Sequence, residues 1–202
     1  MRRKYSGLTL KEALRLVSVE EFTPWQINAA PCPPSPTLQE NLQRLKSFDL
    51  QTTEQAKTLL MDALFAEIVP RYTNLKVWKA AVLETNELTG IADYLITPKR
   101  AYAATPLLCV AEAKRDDFLQ GRAQCLSEMY ACHWNNLQDN LRHSVLGIVS
   151  NGQVWQFYRW SFGGAVLESG LYTTDDLPEL LGALESVCAE CSQYASAQSE
   201  RS

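Results

Sequence analysis

One segment constrains this chain more than any other: Leu107-Leu108-Cys109-Val110-Ala111-Glu112-Ala113-Lys114. An unbroken apolar run of strand length reads as a central β-strand buried on both faces, because a strand with one wet face alternates apolar and polar residues. The run ends in two charges spaced so that both side chains share a face of the strand. Burying an unpaired carboxylate or ammonium costs several kcal/mol, comparable with the net stability of a whole domain. These charges therefore need partners, and a metal ion and a phosphate group would supply them. The alternative is an ion pair at a strand end on the surface.

A second strand, Gly90-Ile91-Ala92-Asp93-Tyr94-Leu95-Ile96, is apolar except for one carboxylate. A connection through Lys99-Arg100 places it beside the first, so that Asp93 and Glu112 converge as hard oxygen ligands suited to Mg²⁺ or Mn²⁺. Otherwise Asp93 caps a turn at a strand edge. The spacing predicts a helix over 54–69, capped by Thr53 and stopped at Pro70. On it Leu60, Ala63, Leu64 and Ile68 share one face, and Glu54, Gln55, Thr58 and Asp62 the other. Glu67 falls within the apolar face, either as a third acidic contribution to the site or with its head reaching water. A long helix predicted over 116–134 starts directly after Lys114. Its polar stripe of Asp117, Gln120, Gly121, Gln124 and Glu128 faces either the same cleft or solvent, opposite Phe118, Cys125, Leu126 and Met129.

Further strands are expected at 75–83, 145–150 and 153–160, with an edge strand at 165–172 and a final helix over 176–191. Asn151-Gly152 is a two-residue hairpin signal. The order αβββαββ predicts an α/β fold, a mixed sheet with helices on both faces. Residues 1–53 read as an extension around that core, with capping boxes Thr9-x-x-Glu12 and Thr37-x-x-Glu40 and a proline-rich stretch at 24–36. The core is expected over 54–191, and the Ser/Gln/Glu-rich tail 192–202 is expected to fray. Alternation of Trp155, Phe157, Tyr158 and Trp160 reads as core packing in preference to base stacking.

Several function classes fall away. With 202 residues, 46% hydrophobic and 21% charged, the chain is an ordinary globular domain. No apolar stretch is long enough to span a bilayer, and none follows Met1-Arg2-Arg3-Lys4 as a signal peptide would, so a cytoplasmic protein without a membrane partner is expected. The net charge of −4 argues against a general nucleic-acid coat protein but not against a nuclease, whose metal site is itself acidic. Six cysteines lack the spacing of a disulfide framework, and Cys188-x-x-Cys191 has no second pair with which to hold zinc. His133 and His143 sit in no ligand spacing and have no nucleophile motif beside them.

Asp93 followed by Glu112-Ala113-Lys114 resembles the signature of the PD-(D/E)XK nuclease superfamily, and Glu67 and Gln124 resemble its auxiliary positions. Ile91-Ala92-Asp93-Tyr94 with Val110-Ala111-Glu112-Ala113-Lys114-Arg115-Asp116-Asp117 is similar to small stand-alone restriction-endonuclease-like proteins. Gly147-Ile148-Val149-Ser150-Asn151-Gly152, followed by Trp155, is similar to the nuclease domains of type I restriction subunits. The resemblance covers about 54–160 and departs at Ala92, where the family name has proline. It implies a restriction-endonuclease-like fold and metal-dependent phosphodiester hydrolysis of nucleic acid, DNA above all, by an endonuclease. One or two Mg²⁺ or Mn²⁺ ions would be held by Asp93, Glu112 and the Ala113 carbonyl, with Glu67 on a metal-bound water or the second ion. Lys114 would orient the attacking water and offset charge on the phosphate, and Gln124 would hydrogen-bond substrate, water or Lys114. A homodimer or a protein that targets the nuclease fits this chemistry. A different class is a nuclease-fold module that binds or regulates without cutting.

Overall fold

The computed structural model describes residues 2–50, 53–114, 118–161 and 164–199. Within them the chain forms β1 (Arg3–Lys4), a 3-10 turn (Tyr5–Gly7), α1 (Leu10–Leu16), β2 (Thr23–Trp25), α2 (Pro36–Leu45) and α3 (Glu54–Ile68). There follow β3 (Leu75–Glu84), β4 (Leu88–Pro98), β5 (Cys109–Ala113), α4 (Phe118–Gln138), β6 (Val145–Ser150), β7 (Val154–Trp160), β8 (Val166–Thr173) and α5 (Leu177–Ser199). The strands make one mixed sheet in the order β1-β4-β5-β6-β7-β8-β2, with β3 along the other side of β4. The α/β class expected from the element order is the one observed.

The apolar run becomes β5, whose five residues are all buried. It lies antiparallel to β4 and parallel to β6, the parallel pairing following from the crossover through α4. Each sheet face carries its own core. On one face α3 and α5 cover Tyr94, Ile96, Ile148 and Phe157, and on the other α1 and α4 cover Leu95, Val110, Val149 and Tyr158. Trp155, Phe157 and Tyr158 are fully buried, as core packing requires, and all six cysteines are buried free thiols.

Four boundaries differ from expectation. Residues 1–53 do not merely surround a core. They supply β1 and β2 to the sheet, send Tyr5, Leu8, Ala13 and Val17 into one core, and send Ile27, Cys32 and Leu38 into the other. Pro24 tolerates this because β2 is an edge strand. Helix α2 is capped by Ser35, which accepts from the Leu38 N–H, with Pro36 in the first turn, so it starts before Thr37. The Thr9–Glu12 capping box has both of its halves. The hairpin tip is Gly152-Gln153, because the Asn151 side chain accepts from the Gln153 and Val154 N–H groups and Gly152 takes a φ of +88°. The tail does not fray at 192. Helix α5 continues to Ser199 because Cys191 and Ala195 recur at helical spacing in the core, and Asn74 donates to the Ser192 carbonyl. The expected helix start at 116 lies outside the described residues. Among the described residues no helix is long and apolar enough to cross a membrane.

Candidate functional site

The site arises where two neighbouring strands separate. Strands β4 and β5 pair at Ile96–Cys109, Leu95–Val110 and Tyr94–Ala111, and the pairing ends there. Beyond it β5 continues along β6 to Ala113–Ser150, while the far end of β4 is taken up by β1 at Leu88 and Thr89. The 3-10 turn carries Tyr5 against β4, where a Cβ on Gly90 would stand 2.4 Å from the ring. Only glycine admits that contact. The Tyr5 hydroxyl donates to the Leu83 carbonyl and ties the turn to β3.

Asp93 and Glu112 occupy the next register position, and their side chains replace the missing ladder. The Asp93 N–H donates to Glu112 Oε1 at 3.2 Å, and the Ala113 N–H donates to Asp93 Oδ2 at 2.8 Å. Each carboxylate is thus oriented by the backbone of the opposite strand, which fixes both without long flexible partners. Across β3 from Asp93, Ala80 sits at φ +51°, between the regular pairs Lys79–Tyr94 and Ala81–Ala92. A non-glycine residue in that region marks local distortion opposite the carboxylate, and nothing in the sequence announced it.

Lys114 leaves the end of β5 with its N–H bonded to the Ser150 carbonyl at 2.8 Å and its Nζ 3.4 Å from Glu112 Oε2. Helix α4 presses on its stem, since a Cβ on Gly121 would lie 2.7 Å from Lys114 Cγ and 2.9 Å from Val149 Cγ1. One turn on, Gln124 Nε2 donates to Glu128 Oε1 at 3.1 Å, and Gln120 Nε2 donates to the Ser6 carbonyl at 2.9 Å. The polar stripe of α4 is therefore an inward face, with Gly121, Gln124 and Glu128 all buried. Asp117 lies outside the described residues.

Burial dominates the electrostatics. Loss of water pushes the Glu112 carboxyl up to about 7; the contact with Glu128 and the Lys114 ammonium pull it down, and the Asp93 charge pushes it up. Glu128 is pushed well above the carboxylate range by burial and by the Glu112 charge. Apart from the hydrogen bond that the two carboxyls share, Glu112 Oε2 and Glu128 Oε2 are buried without a partner. Neighbouring carboxyl oxygens at the end of a strand are the donor type that a hard divalent cation takes. Among the described residues no group of three or more His, Cys, Asp or Glu side chains converges on one ion position.

The structure brings together Asp93, Glu112, Ala113 and Lys114, with Gln124 reaching them through Glu128. It does not bring Glu67. That carboxylate accepts from the Ser35 N–H at 3.2 Å, the Ser35 hydroxyl at 2.7 Å and Arg71 at 3.1 Å. The expectation that Glu67 adds a third acid to the site is corrected: α3 packs on the sheet face opposite α4, and Glu67 secures the start of α2 instead. Glu128, by contrast, belongs to the site more firmly than its place in a polar stripe indicated. Neither a family model nor a curated protein matches this sequence.

Proposed function

We propose that the chain is a metal-dependent phosphodiesterase of the restriction-endonuclease-like kind, cutting nucleic acid and DNA in the first instance. The observation that carries this reading is the reciprocal locking of Asp93 and Glu112 where β4 and β5 part, with Lys114 held beside them. Asp93 and Glu112, with the Ala113 carbonyl, would hold Mg²⁺ or Mn²⁺, which when bound polarises a phosphate and makes a water acidic enough to attack it.

The remaining work falls to the chain itself. Ala113 and Asp93 backbone N–H groups keep the two carboxylates aimed without reorganisation. Lys114 has its stem against Gly121 of α4 and its ammonium 3.4 Å from Glu112 Oε2. There it offsets charge growing on the phosphate oxygens and orients the water. The Tyr5 turn packs on Gly90 of β4 and is tied to the Leu83 carbonyl of β3, which holds this end of β4 in place.

Supercoiled plasmid, linear duplex, single-stranded DNA and RNA, each incubated with Mn²⁺ or Mg²⁺, test the reading. Wild-type protein is expected to cut at least one of them, and Lys114→Ala to lower the rate per folded molecule by about 10²-fold or more. A wild-type chain that cuts none and binds no Mn²⁺ refutes it. One observation favours a second reading, a subunit that cuts only with its partner. Val82 and Ile91, paired across β3 and β4 close to Asp93, are 66% and 57% exposed. In that case the isolated chain binds Mn²⁺ at Asp93 and cuts nothing.

A further inference from the structure

Helix α3 and strand β3 both line a cleft on the sheet face opposite α4. Its volume is about 530 Å³, within the roughly 300–1,000 Å³ of small-molecule pockets. Phe65, Ala66 and Val69 of α3 and Val77 of β3 give it apolar walls, and Lys76, Lys79 and Lys99 stand around it. Asp62 is the one acid among the described lining residues, and it is already engaged. It accepts from Lys79 Nζ at 2.7 Å and from the Tyr94 hydroxyl at 2.9 Å. Three ammoniums against one carboxylate leave the cleft positive in a chain whose net charge is −4. Lysines on an edge strand such as β3 also discourage pairing with other chains, but heads serving only that end would stay in water. Here Lys79 Nζ lies 5.2 Å over the Tyr94 ring, and Lys76 Nζ lies 4.0 Å over the Trp78 ring while donating to the Arg100 carbonyl at 3.5 Å. The Lys99 N–H donates to the Asn74 carbonyl at 2.7 Å, which sets that residue beside the start of β3. Two of the three charges are thus held in place before any ligand arrives, which lowers the ordering cost of binding.

We propose that this cleft binds a nucleoside phosphate, with the phosphate at the lysines and the base against the apolar walls. Several ammoniums around one opening suit a group that spreads more than one negative charge over several oxygens, as phosphate does and a single carboxylate does not. Apolar walls call for a flat, weakly hydrated partner, which a nucleobase supplies and inorganic phosphate lacks. A free nucleotide and the 5′-phosphate end of a nucleic-acid strand offer the same chemistry. The assignment does not depend on the hydrolysis proposed above, since Asp93, Glu112 and Lys114 are not among the described residues that line the cleft.

The full chain is titrated by calorimetry in the presence of chelator, so that no strand is cut. The probes are adenosine 5′-monophosphate, a 5′-phosphorylated oligodeoxyadenylate, adenosine and inorganic phosphate. A saturable site with a dissociation constant between about 10 μM and about 1 mM is expected for the phosphorylated nucleosides. Adenosine and inorganic phosphate should each bind at least about tenfold more weakly. Ala66→Trp, at an exposed position of the wall, fills the cleft without removing a charge, and Lys76→Ala with Lys99→Ala removes two charges without filling it. Ala66→Trp should abolish binding and the double variant weaken it by about fivefold or more, with circular dichroism melts showing both to be folded. Oligonucleotide binding that Ala66→Trp abolishes identifies a strand end as the ligand, and binding of the mononucleotide alone identifies a free nucleotide. Saturation by neither, equal binding of inorganic phosphate, or binding unchanged in Ala66→Trp overturns the proposal. Should Ala66→Trp fail to fold, unchanged affinity in the double lysine variant overturns it. The hydrolysis reading is judged separately, because neither metal nor cleavage enters this assay.

Discussion

Gly121→Ala would test whether α4 presses Lys114 into place. A Cβ at position 121 lies 2.7 Å from Lys114 Cγ and 2.9 Å from Val149 Cγ1. Carbon atoms rest at about 3.5–4.0 Å, so one partner must give by about 1 Å. Overpacking of this kind costs about 1–3 kcal/mol, and alanine returns about 1 kcal/mol of helix propensity over glycine. The expected net loss is about 0–2 kcal/mol, and for a chain of this length each kcal/mol lowers the melting temperature by about 2–4 °C. Val149 is fixed in the core, whereas the lysine stem can turn, so Lys114 is the atom set that moves. A displacement of about 1 Å in a positioning group can cost about 10²-fold in rate. Cleavage and Mn²⁺ affinity are to be measured beside urea unfolding, with Gly170→Ala as the control because a Cβ there meets open space. The signature is a small loss of stability with a large loss of rate. A Gly121→Ala protein stabilised by about 1 kcal/mol and fully active would refute the reasoning.

Two further outcomes are expected. Glu67→Gln should cost about 1–3 kcal/mol in urea unfolding, through its bonds to Ser35 and Arg71, and leave cleavage per folded molecule unchanged; a folded variant with lost activity would return Glu67 to the site. In the metal-free protein Glu112 titrates higher folded than unfolded, so its contribution to stability is fully present below the ordinary carboxylate range and is lost as pH rises through about 7. Urea unfolding between pH 4 and 8 should show that decline in wild type relative to Glu112→Gln, and equal slopes in the two proteins would contradict it.

The legible parts of the site were those that a single strand carries. The run ending in Glu112 and Lys114 announced a buried strand with charges on one face, and the isolated Asp93 announced its neighbour. Glu67 shows the limit of such patterns. An apolar helix face says that a residue points toward the sheet, but a sheet has two faces, and only tertiary packing decides which one a helix covers. Glu128 shows the converse. A polar stripe has the same pattern whether it meets water or a buried acid, and the partner is set by a strand far away in the chain. β1 and β2 escaped notice because each is too short for alternation and β2 contains Pro24. The helix over the tail escaped because Ser and Gln suggested fraying while Cys191, Tyr194 and Ala195 supplied an anchoring stripe.

The pairing of β2 with β8 has a consequence for how the molecule comes into being. Thr23–Trp25 must find Val166–Thr173, so a segment pairs with one that is made long after it. On a ribosome the first segment emerges well before its partner exists and must wait unpaired. Loop closure over that separation is entropically expensive and places the step late in folding. Residues that look like an appendage in the sequence thus settle only after the strand that receives them has been made.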